Sequence, residues 1–317
     1  IGHRLTIASK LRTRWIYWKP WLLPAVLRER RRVLRDLRTH RYDLWLTYHT
    51  YYKGPDILGP VVTRYGIPYV IFQGVYSTQR RKKVKTRAGF YLNRNALSAA
   101  DRVFTNKRVD HHNLKRILPP ERLTYVAPGI YPEEFKFDPE ARENLRRRWQ
   151  VGQEPVILSA AMFRPDVKTQ GLTWVIRTCG HLKRLGRRFY LVIAGDGREK
   201  GRLEKMAAAH LADRVRFVGR IPRAEMVRFY SAGDVFVFPG INESLGMVFM
   251  EAQSCGLPVV AFANAGVPEV VQDRMTGLLQ PLYARRPFVQ AVDLHGFPCV
   301  GKLAVGNQLH RLILGGL

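Results

Sequence analysis

Five short apolar runs, spaced by segments of helical pattern, fill the second half of the chain and limit what it can fold into. The runs are "PVILSAAMF" (155–163), "FYLVIAGDG" (189–197), "RVRFVGRIP" (214–222), "DVFVFPG" (234–240) and "LPVVAFA" (257–263). Between them lie "GLTWVIRTCGHLKRLG" (171–186), "REKGRLEKMAAAHLA" (198–212), "RAEMVRFYSAG" (223–233) and "LGMVFMEAQSCG" (245–256). Near-continuous Val, Ile and Phe mark strands buried on both faces, and helices of about ten to fifteen residues between them make βαβ units. A parallel sheet follows, and ligands of such sheets bind beyond the carboxyl ends of the strands.

The first half is mixed α/β with a less regular rhythm. A helix is expected over 22–40, a strand over 42–49, a helix over 54–66 and a strand over 67–74. Residues 92–118 read as helix, short strand (Arg102 to Thr105) and helix, and 122–130 as a strand ending in a Pro-Gly turn. Three prolines in "APGIYPEEFKFDP" break the periodicity between Pro128 and Pro139. We therefore divide the chain into an N-terminal domain (1–128), a C-terminal domain (129–281) and a divergent or poorly ordered tail (282–317) without clear period.

The net charge of +28 over 317 residues points to an anionic partner: phosphorylated substrate, anionic lipid or nucleic acid. Heavy Arg usage without such a partner is the plainer alternative. The charge is concentrated. Residues 1–41 hold twelve Lys or Arg against Glu29 and Asp36, and "RRKKVKTR" (80–87) is six-eighths basic. The three cysteines, Cys179, Cys255 and Cys299, show no disulfide or metal spacing, which suits a reducing compartment. No apolar run approaches the roughly 18 residues of a membrane span. No secretory signal is visible, and the chain opens without Met.

The stretch with most chemistry is "PGINESLGMVFMEAQSCGLPVVA" (239–261). A strand ends at Pro239, and a helix begins near Leu245. Its first amides suit a phosphate, and Gly246 lets an anion approach the backbone. Glu243 lies in the loop and Glu251 about two turns into the helix. Eight residues of helix span roughly 12 Å, about a diphosphate with a sugar at each end. Two carboxylates so placed can accept hydrogen bonds from hydroxyls at both ends of a nucleotide sugar. An ordinary acidic helix start explains the same residues equally well. Glu251 sits in a mostly apolar helix, and a buried carboxylate needs a partner.

Extended to "PGINESLGMVFMEAQSCGLPVVAFANAGVPEVVQDRMTGLL", the stretch resembles the signature of the "glycosyl transferases group 1" family, retaining glycosyltransferases of the GT-B fold. The matching residues are Glu243, Glu251, Ala252, Gly256, Pro258, Val259, Gly266, Pro268, Glu269 and Gly277. "YVAPGIYPEEF" is similar to the family's interdomain crossing, and the resemblance covers 42–281. It implies two Rossmann-like domains facing a cleft, the N-terminal one incomplete, since nothing here matches the family's opening strand and Gly-rich loop. It implies transfer of a sugar from a nucleoside-diphosphate-sugar to an acceptor hydroxyl with retained configuration.

Roles carried over by resemblance are as follows. Glu251 bonds the ribose and Glu243 holds the donor sugar's hydroxyls. The amides of Ser244, Leu245 and Gly246 hold the diphosphate. Gly195 and Gly197 form the turn beside the donor, and Gly219 and Arg220 lie near the base. In "AAMFRPDVKTQG", Lys168 fits the family's lysine on the leaving diphosphate, and Arg164 is the nearby arginine. Fixed cations there stabilise developing charge. Gln73 and Gly74 stand where many members carry a His. No Asp-x-Asp is present, and adjacent His111 and His112 diverge on a helix, so neither a metal nor another cofactor is expected.

The mixture of Trp15, Trp18 and Trp21 with Arg and Lys suits the surface of an anionic membrane. Docking through 10–35 and 80–87 is therefore expected, and the family resemblance adds a glycan or lipid-linked acceptor and a cytoplasmic place on the inner membrane face. A solvated amphipathic helix explains the same residues, and no nucleic-acid-binding fold is visible. A nucleotide-sugar epimerase of the same fold, or a truncated, inactive glycosyltransferase-like binding protein, are the alternatives to the transferase reading.

Overall fold

The computed structural model describes residues 2–293 and separates into two compact units, Ile1–Ala127 and Pro128–Leu317. The first holds a four-stranded parallel sheet: β1 (Trp45–Thr47), β2 (Tyr69–Phe72), β3 (Arg102–Thr105) and β4 (Leu123–Tyr125), side by side in chain order. Tyr69, Ile71, Leu97 and Val103 are fully buried beside it. A second cluster, Val33, Leu37, Leu58 and Val62, lies under the helix Leu23–Thr39. That helix has the apolar stripe and Arg-rich outer face its sequence dictates.

The second unit holds six parallel strands: β5 (Val156–Ala160), β6 (Tyr190–Ala194), β7 (Val215–Gly219), β8 (Val235–Val237), β9 (Val259–Phe262) and β10 (Gly277–Gln280). Their order is β10-β9-β8-β5-β6-β7. Every residue of β5, β8 and β9 is buried, as expected of strands covered on both faces. After β7 the chain returns across the sheet to lay β8 against β5, pairing Ile157 with Val235 and Leu158 with Phe236. The connections on the two sides of this pair run in opposite directions. The carboxyl ends of β5 and β8 thus form a topological switch point, where open parallel sheets hold their ligands.

Several expectations change, three of them most. Helix 54–66 is reduced to Gly59–Val62 and a 3-10 turn, Thr63–Tyr65. Asp56 accepts the amides of Leu58 (2.8 Å) and Gly59 (3.0 Å), so the helix begins only there. A helix that the pattern does not announce spans Pro139–Trp149, capped by Asp138, which accepts from the Ala141 amide at 2.8 Å. The expected shapeless tail begins with a helix, Arg285–Val292, that buries Phe288, Val289, Ala291 and Val292. The rest of that tail, with Cys299, lies outside the described residues. No helix among the described residues is long and apolar enough to cross a membrane.

Candidate functional site

At the switch point, the loop after β8 and the helix after β5 converge. Helix Val167–Arg184 starts with Asp166 as its cap, whose carboxylate accepts the Lys168 amide at 2.8 Å. Gly171, one turn on, lies against Phe238; a Cβ there would stand 2.9 Å from the ring. The close approach sets the Lys168 ammonium 5.3 Å from the centre of the same ring and in direct contact with the Glu243 carboxylate. Both side chains are largely withdrawn from water, at 21% and 15% exposed, so this pair is screened far less than a surface ion pair.

Glu243 gathers more than the lysine. Its carboxylate accepts from the Ser244 amide (3.0 Å), and the Gly246 amide helps to hold its charged form. Burial pushes the carboxyl up, but the Lys168 ammonium and the two amides outweigh it and hold it below the ordinary range. Gly246 caps the helix Met247–Ser254 in the left-handed region (φ 65°), and an added Cβ would meet Val270 at 2.7 Å. One cation and two amides therefore point at a single carboxylate, at the start of a helix. This is an anion-binding corner, and Glu243 is the anion in it.

Glu251 lies in a separate pocket of partners. It is 6% exposed and accepts from Tyr230 Oη at 3.0 Å and from Arg223 Nη1 at 3.2 Å. Burial raises its carboxyl, and Tyr230 and Arg223 only partly offset this. Arg223 also lies 3.6 Å from Glu134 and 5.6 Å from the centre of the Phe135 ring. Tyr230 and Arg223 escaped the sequence reading, because they belong to a different helix and turn. The one signal was the apolar Glu251 environment, which demanded some partner.

The predicted glycines gather at the carboxyl ends of β5, β6 and β7. The Gly195 amide donates to Gly219 O at 2.7 Å. Gly195 and Gly197 have φ of 138° and 145°, and an added Cβ would stand 1.9 Å from Ala161 O and 2.5 Å from Phe163 O. No side chain fits at either place. Gly219 is also left-handed (φ 74°), with exposed Arg220 following it. Leu245 is half-buried beside Gly246. Arg164 does not join Lys168: half-exposed, it pairs with Asp166 at 3.0 Å, and exposed Met162 precedes it. In the first unit, Gln73 adopts φ 59° and its carbonyl contacts His49 Nδ1 at 3.0 Å. No cluster of three or more metal-ligating side chains occurs among the described residues.

Fold and corner together define an α/β protein of two parallel-sheet units whose second sheet carries an anion site at its switch point. Comparison says what the chain resembles. Residues 141–294, just under half of the chain, match the model described as glycosyl transferases group 1. A "GDP-mannose-dependent alpha-(1-6)-phosphatidylinositol monomannoside mannosyltransferase" of Mycobacterium tuberculosis is 33% identical over 169 residues, 51% of this chain and 43% of that protein. The chain thus matches less than half the length of that relative. The "Alpha-D-kanosaminyltransferase" of Streptomyces kanamyceticus is 28% identical over 289 residues, 87% of this chain and 72% of the relative. Among solved structures, sucrose-phosphate synthase from Thermosynechococcus elongatus superposes with a TM-score of 0.67 at 20% identity, covering 94% of this chain and 80% of that one. The fold is of the GT-B class.

Proposed function

We propose that the protein transfers a sugar from a nucleoside-diphosphate-sugar to an acceptor hydroxyl, with retention of configuration. The observation that carries this reading is the anion corner: Lys168 Nζ and the amides of Ser244 and Gly246 converge on one carboxylate at the switch point. A diphosphate offers the same donors more negative charge than Glu243 does. It takes them over, and Glu243 turns to the hydroxyls of the donor sugar. Glu251, already aimed by Tyr230 and Arg223, accepts from the ribose. The turn at Gly195 and Gly197 leaves room for the donor, and Gly219 and Arg220 border the base. Leu245 lends its amide to the diphosphate. Arg164 supplies a second cation if it exchanges Asp166 for phosphate.

In this reading the bond from the anomeric carbon to the β-phosphate oxygen breaks as the acceptor oxygen bonds to the same face of that carbon. The acceptor proton passes to the departing phosphate oxygen. The protein contributes charge stabilisation and positioning, without a strong base or a required divalent metal. The mycobacterial relative's name, which gives a GDP-mannose donor and a phosphatidylinositol mannoside acceptor, favours a glycan or glycolipid acceptor in cell-envelope synthesis and work at the cytoplasmic face of a membrane. Titration calorimetry with GDP, UDP, ADP and dTDP, followed by a donor-hydrolysis screen, tests the reading. Heat and hydrolysis with one nucleotide class are expected. Absence of heat with all four overturns it, and binding without turnover of any donor reduces the chain to a binding protein.

A further inference from the structure

The first unit brings the two most basic segments of the chain together. Tyr17 packs against helix Val84–Ala99 at Gly89, where an added Cβ would stand 2.0 Å from Tyr52 O and 2.4 Å from the Tyr17 ring. Trp18 Nε1 donates to Lys85 O at 2.8 Å, and Tyr17 Oη donates to Tyr52 O at 3.1 Å. The turns Ile16–Trp18 and Pro20–Leu22 are thereby fixed beside the start of that helix and the short helix Gln79–Lys82.

This juxtaposition makes a surface neither segment has alone. Trp18 (50%), Trp21 (69%), Leu23 (57%) and Val84 (73%) are exposed. Arg81, Lys82, Lys83, Lys85 and Arg87, which flank Val84 in the chain, are exposed as well. No Asp or Glu occurs in residues 1–28 or 57–100, so nothing within either segment neutralises the cations. Exposed large apolar side chains on a turn tied to a segment of exposed Lys and Arg fit the headgroup boundary of an anionic bilayer.

We infer that this composite patch docks the protein on an anionic lipid surface, with Trp21, Leu23 and Val84 entering the interface and the 81–87 cations facing the headgroups. Nucleic acid fits less well. Base stacking needs open ring faces. Trp18 and Trp21 keep theirs, but those of Trp15 and Tyr52 are taken by the chain's own cations: Lys53 at 5.7 Å and 5.6 Å, Lys85 at 5.6 Å from Trp15, and Arg80 at 4.5 Å from Tyr52. Leu23 and Val84 offer a base nothing to stack on. The inference rests on this surface and does not depend on the sugar-transfer reading.

The test is vesicle co-sedimentation of the full chain with phosphatidylcholine alone and with phosphatidylcholine containing phosphatidylglycerol. Binding to the anionic vesicles only is expected. Two variants leave the Tyr17 and Trp18 contacts in place: Trp21→Ser with Leu23→Ser, and Arg81→Glu with Lys82→Glu and Lys83→Glu. At about fivefold per cation, removing three weakens partition on the order of 100-fold, and reversal weakens it further. The Trp21 and Leu23 pair is expected to lose at least about tenfold. Circular dichroism and Tm matching the parent show that both remain folded. Binding equal on both vesicle types, or unchanged in the Trp21 and Leu23 variant, overturns the inference. So does a single-stranded RNA oligonucleotide that binds more tightly than the anionic vesicles.

Discussion

Glu251→Gln separates ligand binding from stability, and the structure gives the sign of each effect. The carboxylate is 6% exposed, with Tyr230 and Arg223 as its partners. Burial raises its pKa, and those partners do not bring it back. A carboxyl with a raised folded pKa holds its proton more tightly when folded. Its contribution to stability is complete below the unfolded value, about 4.3 for Glu, and is lost as pH rises through the folded value. At neutral pH the charge therefore opposes folding. The isosteric amide removes that charge and keeps one carbonyl oxygen, so Tm at pH 7 is expected to hold or rise. The gap to the parent narrows as pH falls through the raised folded value. Nucleotide binding moves the other way under the proposed ribose contact. Hydrogen bonds to a charged group contribute about 1.5–3 kcal/mol, against about 0.5–1.5 for neutral ones. Two ribose hydroxyls facing an amide instead of a carboxylate lose about 2 kcal/mol together, about 30-fold in Kd. Calorimetry reads the affinity, and thermal melts between about pH 5 and 8 read the stability. Unchanged affinity in a folded variant removes Glu251 from the donor site. A fall of several degrees in Tm at pH 7 refutes the burial reasoning.

Further predictions follow from the same contacts. Lys168→Met keeps an aliphatic stem over Phe238 and removes the cation, so donor turnover is expected to fall about 100- to 1,000-fold; turnover within a few-fold of the parent dismisses the lysine. The same variant frees Glu243, whose depressed carboxyl supplies stability that is present above the unfolded pKa and lost as pH falls through the folded one. Acid unfolding followed by circular dichroism is then expected at a higher pH than in the parent. Gly195→Ala forces a Cβ against Ala161 O at φ 138° and is expected to destabilise by about 2–4 kcal/mol; an unchanged denaturant midpoint shows that the turn relaxes freely. Arg223→Ala takes away one of two groups opposing the rise of the Glu251 pKa. Because Arg223 is 61% exposed, its loss is expected to lower stability by less than about 1 kcal/mol at neutral pH, a figure that denaturant melts check.

What the sequence made legible was whatever lies along one element. The buried strands β5, β8 and β9 are unbroken apolar blocks, and period alone finds them. β10 is short and half-buried at the sheet edge, so "GLLQ" gives period little to detect. The helix Pro139–Trp149 has only a thin apolar stripe, Ala141, Leu145 and Trp149, within an otherwise charged sequence. Its legible signal was cap chemistry, Asp138 followed by Pro139. The candidate site divides along the same line. Glu243, Gly246 and Glu251 sit on one loop and helix, and their spacing suggested two carboxylates serving one ligand. The structure gives each carboxylate its own partners from distant segments: Lys168 after β5 for one, Tyr230 and Arg223 before β8 for the other. Local period carries no information about the crossover that lays β8 against β5, and that adjacency is what brings Lys168 to Glu243. The anion corner is thus a property of strand order. A change that displaced β8 from β5 would dissolve it while leaving every residue of the motif in place.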